Sequence, residues 1–306
     1  MRIPTVRIVS ALALGMLIGF SYGLVSYKFD LFPVTVIRLV KEASFDDDTN
    51  RVGFRATEGR LMLECPAAGT DVAVLLIAGQ SNSANHGETR HRPRQGVVNF
   101  NWFDGRCYRA EDPLLGATGY GGSIFGRLAD RLIESGAYRS VVLVPVGVNA
   151  SLIERWAPGG DLNPRLHTAI AGLRSRGLDP THVLWQQGEA DAMQGTDYAS
   201  YSARLGDLID DMRARHVDAP VFVAVASMCH NPGSQAVRAA QRDAANLATG
   251  VFPGPNSDLL DSLVYRYDGC HFSDAALDEL AGWWFEALLG PTKGLAGEAG
   301  QGISPR

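Results

Sequence analysis

The sequence predicts an α/β protein: a three-layer α/β/α sandwich with a central parallel sheet, preceded by one N-terminal transmembrane helix. Three observations predict it. From Asp71 onward, short apolar runs alternate with longer segments of helical period, the order that builds parallel sheets. Those runs are continuous rather than alternating, as strands covered on both faces require. Ahead of them lies an uncharged stretch, Ile8 to Val25, preceded by Arg2 and Arg7.

That first stretch has eighteen residues, and at 1.5 Å each it covers about 27 Å of a bilayer core of roughly 30 Å. Its only Ala-x-Ala, Ala11-Leu12-Ala13, lies near its start, where cleavage would not release the run. Residues 1–30 are therefore expected to be an uncleaved anchor, with a cleaved secretory peptide as the alternative. The two early arginines favour the N-terminus inside, which puts the rest of a single-pass inner-membrane protein on the periplasmic or extracytoplasmic side. Residues 31–70 read as a juxtamembrane approach: Phe32-Pro33, the acidic Asp46-Asp47-Asp48, then a strand-like stretch from Arg51 to Cys65.

Residues 71–290 form the expected domain. Its strands are Val72–Ala78, Val141–Val146, His182–Trp185 and Val221–Ala226. Gly122–Ser135 and Asn163–Arg176 read as helices, each followed by a glycine suited to a left-handed C-cap. Between Thr196 and Arg215, the residues Tyr198, Tyr201, Leu205, Leu208, Ile209 and Met212 make one apolar stripe. Gln235–Thr249 reads as a further helix, and a last one, capped by Ser273, runs to Leu289 and stops at Gly290. Val97–Phe103 and Arg106–Glu111, joined at Asp104-Gly105, read as a hairpin. Residues 291–306, with four glycines and little apolar content, are expected to be disordered.

Composition narrows the function. Lys plus Arg is 28 and Asp plus Glu is 33, and a net charge of −5 gives no electrostatic footprint for nucleic acid. The four cysteines (Cys65, Cys107, Cys229, Cys270) form no C-x-x-C. They allow three pairings, of which Cys65–Cys107 with Cys229–Cys270 is the arrangement without nesting; free buried thiols are the alternative. Each such bridge would contribute roughly 4 kcal/mol in the chain-entropy model. His86 and His91 with Glu88 are loosely ligand-like, but their loop is rich in arginine, so no metal and no cofactor is expected.

Four short blocks carry chemistry. The first strand runs into Gly79-Gln80-Ser81-Asn82, placing Ser81 at the strand edge where open α/β sheets bind ligands. A serine hydroxyl is a weak nucleophile unless a base takes its proton. Asp268-Gly269-Cys270-His271 supplies such a base with a carboxylate to fix its tautomer, directly before the last helix. Trp185-Gln186-Gln187-Gly188-Glu189-Ala190-Asp191 and Val146-Gly147-Val148-Asn149-Ala150-Ser151 follow two other strands, and their N–H groups and the Gln187 amide are suitable donors for an oxyanion.

Together, in this order, these blocks resemble the SGNH/GDSL hydrolases, in the branch of sialate O-acetylesterases and plant-type acetylxylan esterases, over roughly Asp71 to Gly290. The resemblance implies a metal-free serine esterase with Ser81 as nucleophile, His271 as base and Asp268 as its orienter. It implies oxyanion donors at Ser81, Asn149, Ala150 and Gln187. Gln80, Asn82 and Glu189, with Arg90 and Arg92 of the following basic loop, become candidates for contact with substrate. One block departs from the family pattern G-G-T-S-I-x-x-W: both glycines are replaced, by Asn149 and Ala150. Asparagine tolerates left-handed backbone, whereas alanine does so less readily.

The leading expectation is removal of O-acetyl groups from a carbohydrate outside the membrane, through an acyl-enzyme. A second passes the acetyl group to a sugar, with a membrane partner as donor. A third, prompted by the altered block, is a glycan-binding module without catalysis.

Overall fold

The computed structural model describes residues 49 and 51–298 of the main unit and, in a separate N-terminal unit of residues 1–47, residues 19, 21 and 22. Most of the Ile8–Val25 stretch, residues 31–48 of the expected 31–70 approach and the last eight residues lie outside the described residues. Among the described residues no helix is long and apolar enough to cross a membrane.

Among the described residues, eight strands make one sheet: β1 (Met62–Leu63), β2 (Val72–Gly79), β3 (Val97–Asn101), β4 (Arg106–Arg109), β5 (Ser140–Pro145), β6 (His182–Gln186), β7 (Val221–Val225) and β8 (Val251–Asn256). Their order is β1-β4-β3-β5-β2-β6-β7-β8. Only the pairings of β4, with β1 and β3, are antiparallel. The hairpin expected around Asp104-Gly105 is thus a sheet member, because β3 also pairs in parallel with β5. The helices are α1 (Ile124–Glu134), α2 (Ile153–Trp156), α3 (Asn163–Arg174), α4 (Glu189–Gln194), α5 (Tyr198–Ala214), α6 (Gln235–Asp243) and α7 (Asp274–Glu298).

The layering follows from β2, whose eight residues are all buried. Successive side chains point to opposite faces of a sheet. Val72, Val74, Leu76 and Ala78 join a core with Leu166 and Ile170 of α3, Tyr201, Leu205 and Leu208 of α5, and Val237 of α6. Ala73, Leu75 and Ile77 join a second core with Phe125 and Leu128 of α1 and Leu280 and Trp284 of α7. A strand with no polar face must be covered twice, which gives three layers.

Three elements differ from expectation. β8 (VFPGPN) is a strand despite two prolines and a glycine, which an edge strand tolerates because one of its sides needs no donors. α6 ends at Asp243, and a separate 3-10 turn, Leu247–Thr249, follows before the left-handed Gly250. α7 does not stop at Gly290, which is absent from the positive-φ glycines; the helix passes through Pro291 to Glu298. Both disulfides have the unnested pairing. Cys65–Cys107 ties the segment after β1 to β4, and Cys229–Cys270 ties the loop after β7 to the loop before α7.

Candidate active site

β2 ends at Gly79, whose φ is 134° and where a Cβ would lie 2.0 Å from the Gln186 carbonyl oxygen. Only glycine lets the chain turn this close to β6, and the turn delivers Ser81 at the head of a 3-10 turn, Ser81–Ser83. Ser81 is 2% exposed.

The base comes from the opposite end of the chain. His271 Nδ1 lies 2.7 Å from Asp268 Oδ2, while Asp268 Oδ1 accepts the backbone N–H of Cys270 and of His271. Burial alone would raise this carboxyl; the bond to His271 and the two N–H groups outweigh it and hold Asp268 well below the usual carboxylate range. It is therefore ionised at neutral pH, as an orienter of imidazole must be.

Asn82 brings nucleophile loop and base loop together. Its Nδ2 donates to Glu189 Oε1 at 2.7 Å and to the carbonyl oxygen of Cys270, next to His271, at 3.3 Å. Asn82 and Glu189 are hydrogen-bonded to each other, which gives both an internal task where the sequence led us to expect contact with substrate. Glu189 Oε2 has no partner among the described residues, and burial pushes its carboxyl up. Gln80 is likewise internal: its Oε1 accepts the N–H groups of Gly188 and Ala190, closing the start of α4.

Gln187 requires a correction. Its Nε2 donates to the Ser151 carbonyl at 2.8 Å and to Asp191 Oδ2 at 2.5 Å, and its Oε1 accepts from the Tyr201 hydroxyl. With Gln80 Oε1 at 3.4 Å as well, its two protons have three internal acceptors in reach, so the amide is not aimed at an oxyanion. It instead holds the turn of the second block against α4, aided by Asp191 Oδ2, which also accepts the N–H of Ile153.

In that turn, the Asn149 N–H donates to Thr118 Oγ1 at 2.8 Å and is unavailable as an oxyanion donor. Ala150, not Asn149, takes the left-handed conformation, with φ 51°. The N–H groups of Ser81 and Ala150 remain as the oxyanion candidates.

The basic loop is also internally paired. Arg92 pairs with Glu111 and Arg94 with Glu134, which offsets their charge, whereas Arg90 donates to the neutral Tyr120 carbonyl. His91 pairs with Asp130 and His86 with Thr118, so these histidines do not converge on a metal. Cys229, His230 and Cys270 do cluster, but both sulfurs are spent in the disulfide.

The sequence reading passed over three neighbours of His271: His86, its ring stacked on the imidazole at 5.3 Å, Tyr267 at 6.3 Å, and Thr118 behind His86. His86 had a signal, standing five residues after the nucleophile, but was weighed only as a ligand. Thr118 had none, because its position depends on the fold.

A family model described as carbohydrate esterase, sialic acid-specific acetylesterase, matches residues 71–289. No curated protein matches. Among solved structures the chain is similar to a protein of Arabidopsis thaliana (20% identity, 72% of this chain and 99% of that one, TM-score 0.55). It is similar to NanS (18%, 74% and 98%, TM-score 0.54) and to a GDSL-like lipase of Parabacteroides merdae (14%, 72% and 98%, TM-score 0.50). At these identities the likeness is one of fold.

Proposed function

Because the chain belongs to the sialic acid-specific acetylesterase family of carbohydrate esterases, we propose that it removes O-acetyl groups from a glycan by a Ser81 acyl-enzyme route. The observation that carries the reading is the Asp268–His271 pair at 2.7 Å, joined through Asn82 to the turn that presents Ser81. Ser81 attacks the acetyl carbonyl while His271 takes its proton. The N–H groups of Ser81 and Ala150 receive the charge that develops on the carbonyl oxygen. His271 then returns the proton to the departing sugar oxygen, and water, deprotonated by the same imidazole, releases acetate. Asp268 stabilises the imidazolium in both steps. We place this chemistry outside the cytoplasmic membrane, held there by the Ile8–Val25 stretch; the disulfides support an oxidising compartment.

The test is acetate release from acetylated sialic acids and xylans by the full-length protein, followed in membrane and soluble fractions. Ser81→Ala and His271→Ala should each abolish nearly all turnover, and the double variant should lose little more, because either change alone leaves no activated nucleophile. Turnover in Ser81→Ala within a few-fold of the unchanged protein would overturn the reading and leave glycan binding as the function. Loss of acetyl from the donor only when a sugar acceptor is present, with the acetyl group recovered on that sugar and no acetate formed, would replace hydrolysis by transfer.

A further inference from the structure

We propose that His86 is a positioning residue serving both halves of the site at once: the plane of the His271 imidazole and the turn that carries the Ala150 N–H. The proposal rests on the esterase reading above and deepens it.

The first half is a ring contact. The imidazoles of His86 and His271 are nearly parallel, 22° apart, with centroids at 5.3 Å. A D-x-x-H bond fixes one nitrogen of His271 but leaves the ring free to rock about it. A flat partner against its face removes that freedom. Tyr267, whose ring lies 6.3 Å from His271, donates from its hydroxyl to the His86 carbonyl oxygen at 3.3 Å, tying the His86 backbone to the D-x-x-H loop.

The second half runs through Thr118. His86 Nε2 lies 3.3 Å from Thr118 Oγ1, and that oxygen accepts the Asn149 N–H at 2.8 Å. A hydroxyl has one proton. With the His86 nitrogen unprotonated, Thr118 donates to it and turns a lone pair toward Asn149. That fixes the Val148–Asn149 peptide, one step before the peptide that carries the Ala150 N–H, and so restrains the entry to Ala150, whose φ of 51° is one an alanine does not hold without restraint. Burial, with His271 as a neighbour, lowers His86 to about 3, which keeps the ring neutral across the working range; the Nδ1–H tautomer then leaves Nε2 as the acceptor facing Thr118. The groups facing the two rings are Asp268 against His271, Tyr267 beside it and Thr118 behind His86.

His86 is closely packed on the Gly119 side. A Cβ on Gly119 would come within 2.7 Å of His86 Cδ2 and Nε2, so the loop packed against the ring has been left without side chain at that point. The spacing is tight enough that the ring cannot swing out toward Gly119 without moving backbone.

The experiment measures 4-nitrophenyl acetate hydrolysis, with Ser81→Ala as background. His86→Ala should lower kcat on the order of 10²-fold, the usual scale for misplacing a reacting group by about 1 Å, with KM within threefold. Thr118→Val should cost less, about tenfold, and Thr118→Ser should restore it. Adding Thr118→Val to His86→Ala should cost less than a further twofold, because the route to Asn149 is already broken. His86→Phe keeps the flat face and should recover part of the His86→Ala loss while remaining insensitive to Thr118→Val. Thermal midpoints accompany each variant, and His86→Phe keeps the test open if His86→Ala does not fold. A kcat for His86→Ala within threefold of the unchanged protein, a loss confined to KM, or full additivity with Thr118→Val overturns the proposal while leaving the esterase intact. No Ser81-dependent hydrolysis in the unchanged protein overturns the esterase reading, and this proposal falls with it.

Discussion

Ala150 shows how a single side chain can sit against its own backbone preference. A left-handed residue other than glycine carries a cost of roughly 1–2 kcal/mol, here met by the hydrogen bonds that clamp the turn on both sides: Asn149 N–H to Thr118 and Gln187 to the Ser151 carbonyl. Ala150→Gly removes that cost but adds freedom to the unfolded chain, about 0.4–1 kcal/mol. The net expectation is a gain of up to about 1 kcal/mol in urea unfolding with turnover unchanged or higher. A loss of stability beyond about 1 kcal/mol, or a tenfold fall in turnover, would show that the methyl group has a packing task. At this scale the pairing of Asp268 with His271 and the place of Ser81 just past a strand were legible, because both follow from short local spacings. The sequence was not informative about Gln80, Asn82, Glu189 and Gln187. Their types suit contact with a ligand as well as with a buried peptide group, and only the three-dimensional partners distinguish the two.

At the scale of elements, the loop before α7 is held by two devices, the Cys229–Cys270 bond and the buried Arg266. Arg266 donates to the carbonyls of Leu260, Met228, Cys270 and Ser257. Replacing both Cys229 and Cys270 by serine should cost up to about 4 kcal/mol in stability, from a closed loop whose ends are 41 residues apart. Turnover should fall by about tenfold or more even where the protein remains folded, since His271 follows Cys270 directly. Assays well below the unfolding midpoint separate the two effects, and unaltered turnover there would show that Arg266 alone sets the loop. The strands β2, β5, β6 and β7 were legible because continuous apolar runs have few other destinations. β8 was not: its prolines and glycine oppose a strand locally, and its pairing with β7 is long-range, with a register shift between Val223 and Val225. The short helices α2 and α4 were missed for a related reason, being too brief to show a period.

For the molecule as a whole, pH dependence of folding should carry the mark of one group outside the site. Asp112 Oδ2 accepts the N–H groups of His91 and Ser123, whereas its buried Oδ1 has no partner among the described residues. Burial pushes its carboxyl from 3.8 up to about 7, against the opposing pull of Arg127 and Arg60. A raised acid binds its proton more tightly when folded, so its contribution to stability falls as pH rises from about 4 to 7 and stays low above. Asp112→Asn should abolish that decline. The difference in unfolding free energy between Asp112→Asn and the unchanged protein should therefore grow from pH 5 to pH 8, and a difference independent of pH would mean the carboxyl is ionised throughout. Asp268 acts in the opposite sense: its depressed carboxyl contributes stability above about pH 4, lost on further acidification. The contact between Asn82 and the Cys270 carbonyl, finally, spans 188 residues of chain. A growing polypeptide presents Ser81 long before His271, so a chain that stops short of the loop before α7 carries the serine without its proposed base. On the proposed mechanism, activity would therefore report that the loop before α7 has docked on the turn after β2, and a chain ending before Asp268 should release no acetate.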